Sequence, residues 1–208
     1  MRQLIDGISV IPVIVIDEVP DAIPLAKALC AGGLRVLEIT LRTPAALASI
    51  EAIAKAVPEA VVGAGTILNE DDARKAHGAG AIFAVSPGYT TDVGRACATL
   101  NLPLLPGAAT ASEVMMALHD GYDFLKFFPA EASGGIQMLR SLAGPFPGVR
   151  FCPTGGIDAH NCRIYLSERN VCCIGGSWLT PEALVRKQRW GNIQELATEA
   201  VFLSKQAP

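Results

Sequence analysis

Short runs of β-branched and other apolar residues alternate along the chain with longer stretches in which apolar positions recur every three or four residues. The first pattern is that of a buried strand, the second that of a helix with one apolar face. Eight runs read as strands, at 11–16, 36–41, 60–66, 81–87, 103–109, 124–130, 149–156 and 171–177. Their starts lie 21 to 25 residues apart, roughly what a strand, a helix and two short loops consume. Helical patterns fill the gaps. "DAIPLAKALCAGG" ends in glycines suited to a C-cap, and "TPAALASIEAIAKAVP" opens with Thr43 and Pro44 at cap and first-turn positions. "GNIQELATEAVFLSK" follows the last strand. Repeated strand–helix units set the strands parallel, with helices covering the sheet. The expected fold class is α/β, a (β/α)8 TIM barrel forming a single domain over residues 1–208, with a short helical segment before the first strand. Periodicity alone leaves an open doubly wound sheet possible. Two features favour closure. Polar residues gather at the C-terminal ends of the strands (Thr40, Thr66, Ser86, Thr154 and Ser177), and the last two strands end in Gly-Gly, where barrels frequently bind phosphate.

Composition narrows the function classes. Half of the 208 residues are hydrophobic and 18% are charged, which suits one packed domain and excludes a disordered chain. The net charge is −3. The densest basic stretch, Arg186-Lys187-Gln188-Arg189, reads as a solvated face, so no nucleic-acid partner is expected. No apolar stretch approaches the ~18 residues that cross a bilayer, and the N-terminus lacks the apolar core of a signal peptide, so a soluble cytoplasmic protein with no membrane partner is expected. Six cysteines (Cys30, Cys97, Cys152, Cys162, Cys172 and Cys173) form no C-x-x-C pair and are expected to be reduced core thiols. His77, His119 and His160 are scattered, so a metal site is not supported.

The same alternation places individual side chains. In "VLEITLR", Val36, Glu38, Thr40 and Arg42 share one face, and Leu37, Ile39 and Leu41 share the other. If the apolar set lies under helices, Glu38 points into the barrel and Arg42 sits at its mouth. An edge strand with a wet polar face is the plainer alternative for this strand in isolation. In "FLKFFPAEASG", Phe124, Lys126 and Phe128 share a face opposite Leu125 and Phe127. A lysine snorkelling to water would explain Lys126 without chemistry. An inward lysine would instead carry its amine past aromatic surface with few waters, where burial disfavours an ammonium. A neutral amine adds to carbonyl carbon and forms a Schiff base, whose protonated imine stabilises a carbanion on the adjacent carbon. Glu38 supplies the proton carrier that such chemistry needs. Arg42 offers a planar fork for a carboxylate, and Thr66 a hydroxyl. "TGG" at 154–156 and "GGS" at 175–177 lack Cβ atoms where a phosphate needs close approach, and a following helix start would add positive dipole. "GAGTIL" at 63–68 lacks the third glycine of a dinucleotide loop and is weak evidence for nicotinamide binding.

Together "VLEITLRT", "VGAGTIL", "SPG", "FLKFFPAEASGG", "FCPTGGI" and "CIGGSWL" resemble the 2-keto-3-deoxy-6-phosphogluconate (KDPG) aldolases, which often also act on 4-hydroxy-2-oxoglutarate (KHG). The resemblance runs from about Val13 to the C-terminal helix. It implies a class I aldolase on a (β/α)8 barrel, usually a homotrimer, with no metal and no cofactor. Lys126 matches the Schiff-base lysine and Glu38 the general acid/base. Arg42 and Thr66 match residues around the pyruvate carboxylate, Pro87 and Phe128 residues lining the pocket, and Thr154 a polar group beside the substrate. Gly155, Gly156, Gly176 and Ser177 match contacts at the phosphate end. The implied reaction is cleavage of KDPG to pyruvate and glyceraldehyde 3-phosphate, within Entner–Doudoroff sugar-acid breakdown. Three rivals remain at this stage: an aldolase for the phosphogalactonate epimer, a non-catalytic barrel that binds a phosphorylated metabolite, and a metal-dependent aldolase, against which the lack of a histidine cluster counts.

Overall fold

The computed structural model describes residues 1–5 and 7–206. A 3₁₀ turn at Arg2–Ile5 precedes the strands β1 (Val10–Ile14), β2 (Val36–Thr40), β3 (Val61–Gly65), β4 (Ala84–Val85), β5 (Leu104–Leu105), β6 (Gly107–Ala108), β7 (Phe124–Phe127), β8 (Arg150–Pro153) and β9 (Ile174–Gly176). Between and after them lie α1 (Val19–Ala31), α2 (Ala46–Ala56), α3 (Glu70–Gly78), α4 (Thr91–Thr99), α5 (Ala111–His119), α6 (Gly135–Ala143), α7 (Cys162–Leu166), α8 (Glu182–Arg186) and α9 (Trp190–Lys205). Every pairing among the described strands is parallel. The fold is α/β, as the alternation predicts, with its strands in curled parallel sheets.

Six strands form one sheet in the order β5-β4-β3-β2-β1-β9, and three form another in the order β6-β7-β8. Single bridges, Phe151↔Val171 and Thr154↔Gly175, tie β8 to the segment carrying β9. The expected fifth strand at 103–109 is in fact two, β5 and β6, parted at Pro106. A proline has no N–H to give a ladder. The Pro106 carbonyl accepts from the Lys126 N–H at 2.8 Å, so the chain changes partner there, from β4 to β7. The fourth and eighth strands are also shorter than expected, although Ile82 N–H and Ser86 N–H still bond the neighbouring strands.

Two apolar layers follow from the pleat. Leu37, Ile39, Leu125 and Phe127 face outward and pack with the helices, joined by Leu25 and Leu29 of α1 and Ile50 and Ile53 of α2. Ile11, Val36, Phe83, Val85, Leu105, Phe124, Cys152 and Cys173 pack together on the inner face. Ile5 of the 3₁₀ turn is 6% exposed and closes this inner cluster, with Met1, Leu4 and Ile8 beside it.

Local chemistry explains several ends. Gly33 follows α1 with φ +95°, a conformation that glycine adopts without a Cβ penalty. Thr110 caps α5 in a reciprocal capping box with Glu113. Thr43 does not cap α2: the N-cap is Ala45, and the Thr43 hydroxyl donates instead to the Ile16 carbonyl, in the loop between β1 and α1. The six cysteines are Cys30, half-buried; Cys97, Cys152, Cys162 and Cys173, buried; and Cys172, exposed. Cys30 and Cys172 correct the expectation that all are core thiols. Cys172 lies in a bend two residues before β9, outside the strand. No helix among the described residues is long and apolar enough to cross a membrane.

Candidate active site

Lys126 sits in the middle of β7, in register with Gly107 on one side and Cys152 on the other. Leu125 and Phe127 are taken by the outer core, so the lysine is forced onto the inner face, where it is 4% exposed. Glu38 of β2 reaches the same point from the other sheet and is 3% exposed. Lys126 Nζ donates to Glu38 Oε1 at 3.1 Å. The amine also lies 5.1 Å from the centroid of the Phe128 ring, near enough for a cation–π contact. A charged pair this deep survives because each member compensates the other. The 3.1 Å contact sets an amine beside a carboxyl group, the two groups that imine chemistry requires.

Glycines make room for this pair. A Cβ on Gly65 of β3 would overlap the Glu38 carboxylate, and one on Gly63 would overlap the Phe83 ring. The "GAG" of β3 therefore accommodates inward side chains. Below the pair, the fully buried Cys173 thiol is pushed well above its ordinary value, by its contact with Cys152 and then by burial, so it is held as an inert thiol.

A cavity of about 210 Å³ opens over Lys126, lined by Val13, Arg42, Phe128, Thr154, Gly155, Gly156, Ile157, Gly176 and Ser177. Eight of the eleven residues singled out from the sequence thus form its wall. Glu38 and Thr66 join through hydrogen bonds, Glu38 to Lys126 and Thr66 by accepting from Arg42 Nε at 3.3 Å. Thr66 holds φ +63°, costly for a β-branched residue and therefore a position that its surroundings must enforce. Pro87 is outside the wall, half-buried, with its carbonyl against Gly107. A larger hollow of about 590 Å³, bordered by Met1, Tyr122 and Phe124, holds none of these groups.

The glycines of the last two strands are only partly as expected. Gly155 and Gly156 take φ +102° and +77° and line the cavity. Neither Gly-Gly runs directly into a helix, since α7 begins at Cys162 and α8 at Glu182, each only five residues long. The expected helix-dipole contribution at these glycines is therefore missing. Other absent Cβ atoms serve packing: one on Gly175 would overlap the Thr154 hydroxyl, and one on Gly176 the Trp178 ring.

Three contributors escape the sequence reading. Val13 shares a cavity wall with Lys126 and is in register with Glu38; its place two residues after inward-facing Ile11 is the signal that finds it. Ile157 follows the glycine turn without any pattern to mark it. Glu131 accepts from the Tyr165 hydroxyl beneath that turn.

The described residues hold no group of three or more His, Cys, Asp or Glu placed to bind a metal ion. The family model described as "KDPG and KHG aldolase" matches residues 2–196. Over 192 residues the chain is 52% identical to the 2-dehydro-3-deoxy-phosphogluconate aldolase of Pseudoalteromonas atlantica, covering 92% of this chain and 89% of that one. It superposes with TM-score 0.89 on the KDPG aldolase of Legionella pneumophila, whose structure holds pyruvate captured at low pH as a covalent carbinolamine intermediate. Identity there is 49%, over 91% of this chain and 92% of that one. The 2-keto-3-deoxy-6-phosphogluconate aldolase of Zymomonas mobilis ZM4, solved with 3-phosphoglycerate, gives TM-score 0.88 and 48% identity, over 96% and 95% of the two chains. A family match along nearly the whole length, joined to a relative identical at half its positions, shows that the chain belongs to the KDPG and KHG aldolase family.

Proposed function

We propose that this chain is a class I aldolase, a carbon–carbon lyase that cleaves KDPG to pyruvate and glyceraldehyde 3-phosphate and acts also on 4-hydroxy-2-oxoglutarate. The observation that carries this reading is the buried pair of Lys126 Nζ and Glu38 Oε1, 3.1 Å apart, with the lysine in the cavity wall. The Lys126 amine adds to the C2 carbonyl of the substrate, and the carbinolamine loses water to give a protonated imine. Glu38 takes the proton of the C4 hydroxyl, directly or through a water. The C3–C4 electron pair moves into the imine, glyceraldehyde 3-phosphate departs and a pyruvate enamine remains. Protonation at C3 and hydrolysis of the imine release pyruvate and free Lys126. A non-catalytic barrel would leave the cost of burying this pair unexplained.

In the same reading Arg42, anchored by Thr66, grips the pyruvate carboxylate, and Phe128 and Pro87 border the carbon chain. Thr154 sits beside the reacting atoms, while Gly155, Gly156, Gly176 and Ser177 receive the phosphate. The two curled sheets are parts of one closed (β/α)8 barrel forming one domain, with the change of partner at Pro106 and the β8–β9 bridges as its seams. The working form is a cytoplasmic homotrimer, which sedimentation at micromolar concentration measures.

Borohydride reduction in the presence of pyruvate, followed by peptide mapping, tests the chemistry. A reduced pyruvyl adduct on Lys126 is expected. Pyruvate binding with no adduct would overturn the Schiff-base mechanism.

A further inference from the structure

The loop that leaves β7 after Phe127 reaches Glu131, five residues on from Lys126, where it crosses the Gly155–Gly156 turn. Backbone bonds stitch the two together: Ala130 N–H to the Thr154 carbonyl at 2.8 Å, and Glu131 N–H to the Gly155 carbonyl at 3.1 Å. Glu131 packs so closely on the turn that a Cβ on Gly156 would lie 2.5 Å from its Cγ. Glu131 is exposed and outside the cavity wall, and its carboxylate accepts from the hydroxyl of Tyr165, a residue of α7 that is 1% exposed. From the far side Asn161 Nδ2 donates to the Gly156 carbonyl at 2.9 Å. A buried tyrosine thus spends its one hydroxyl proton on a carboxylate that would otherwise stand free beside the turn.

We propose that Glu131 and Tyr165 are positioning residues for the phosphate-bearing half of the substrate. The pair clamps the Gly155–Gly156 turn against the loop that follows β7 and holds a negative charge away from an incoming phosphate. This rests on the aldolase reading above and adds to it the device that shapes the distal end of the cavity. Like charges in one small site repel, so a carboxylate released from Tyr165 opposes a phosphorylated substrate more than an unphosphorylated one. 4-Hydroxy-2-oxoglutarate lacks C6 and the phosphate and ends instead in a C5 carboxylate, which carries a single charge and stops short of the place a phosphate reaches.

Steady-state kinetics on KDPG and on 4-hydroxy-2-oxoglutarate, with borohydride trapping of pyruvate, separate the possibilities. Tyr165→Phe keeps the ring in the core and removes the hydroxyl. It is expected to raise KM for KDPG about tenfold, the scale on which one unit charge repels another several Å away through partly solvated protein. Its kcat and its pyruvate adduct should match wild type, and its KM for 4-hydroxy-2-oxoglutarate should rise clearly less than that for KDPG. Adding Glu131→Gln to Tyr165→Phe removes the freed charge and should recover most of the loss. Equal loss on both substrates, no loss on either, or no recovery in the double variant would each overturn the positioning role while leaving the aldolase reading standing. A wild-type protein that traps no pyruvate would overturn both.

Discussion

Lys126→Ala and Lys126→Met/Glu38→Leu separate what the lysine does from what it costs. Read from its strand alone, removal of a buried amine leaves the fold untouched. The structure changes that expectation, because the amine is the hydrogen-bond partner of a carboxylate 3% exposed. Truncating one member of a buried pair strands the other, typically at about 3–5 kcal/mol. Lys126→Ala is therefore expected to lose both activity and several kcal/mol of stability in urea titrations, whereas the apolar double variant, equally inactive, should recover most of that stability. Glu38→Gln keeps the shape and an acceptor oxygen but carries no proton between substrate atoms. Its kcat should fall by ~10²–10⁴, the usual contribution of a general acid/base, and a kcat near wild type would remove Glu38 from the mechanism. Both residues are legible in the sequence because strand alternation assigns each a face, and a charged residue on a face that must be buried demands a reason. Glu131 is not legible in this way. It lies in a loop, where no periodicity assigns direction, and its partner Tyr165 is 34 residues away.

Element boundaries depend on local bonds that compete with longer ones. The Thr110-to-Glu113 spacing is a capping-box signature, and both halves form. The N–H of Ala109 is the largest influence lowering the Glu113 carboxyl from its ordinary value, and the hydroxyl and N–H of Thr110 add to it against partial burial. A carboxyl lowered in the folded state contributes stability above its unfolded value of ~4.3, and that contribution is lost as pH falls through the folded value. Glu113→Gln should accordingly flatten the fall of melting temperature below about pH 4.3, and Thr110→Ala should cost about 1 kcal/mol at neutral pH. An unchanged acid limb in Glu113→Gln would contradict the assignment. Thr43 shows the opposite case. It has the residue type and position of an N-cap, yet its hydroxyl is drawn to the Ile16 carbonyl 27 residues away, and α2 begins without a side-chain cap.

Across the whole molecule the two ends of the inner face are divided between chemistry and packing. One end holds the Lys126–Glu38 pair and its cavity. The other holds Phe83, Phe124 and their neighbours, closed by Ile5. Truncating a buried isoleucine typically costs about 2–5 kcal/mol. Ile5→Ala should therefore lower the free energy of unfolding in urea titrations by that amount while leaving kcat and pyruvate trapping at wild-type levels. A loss of kcat in the folded variant would show that the two ends are coupled.

By itself the sequence determined the parallel α/β class, the faces of β2 and β7, and the inward direction of Glu38 and Lys126. These follow from period-2 alternation and from the spacing of the strand–helix units, both local properties of the chain. Only the tertiary structure decided that two residues 88 positions apart meet at 3.1 Å, and that Gly65 vacates the space Glu38 needs. It alone also decided that Pro106 is where the chain changes partner, and that Glu131 is tied to Tyr165. Such contacts depend on strand register and on how curled layers pack, quantities set by the whole core at once and encoded in no short stretch of sequence.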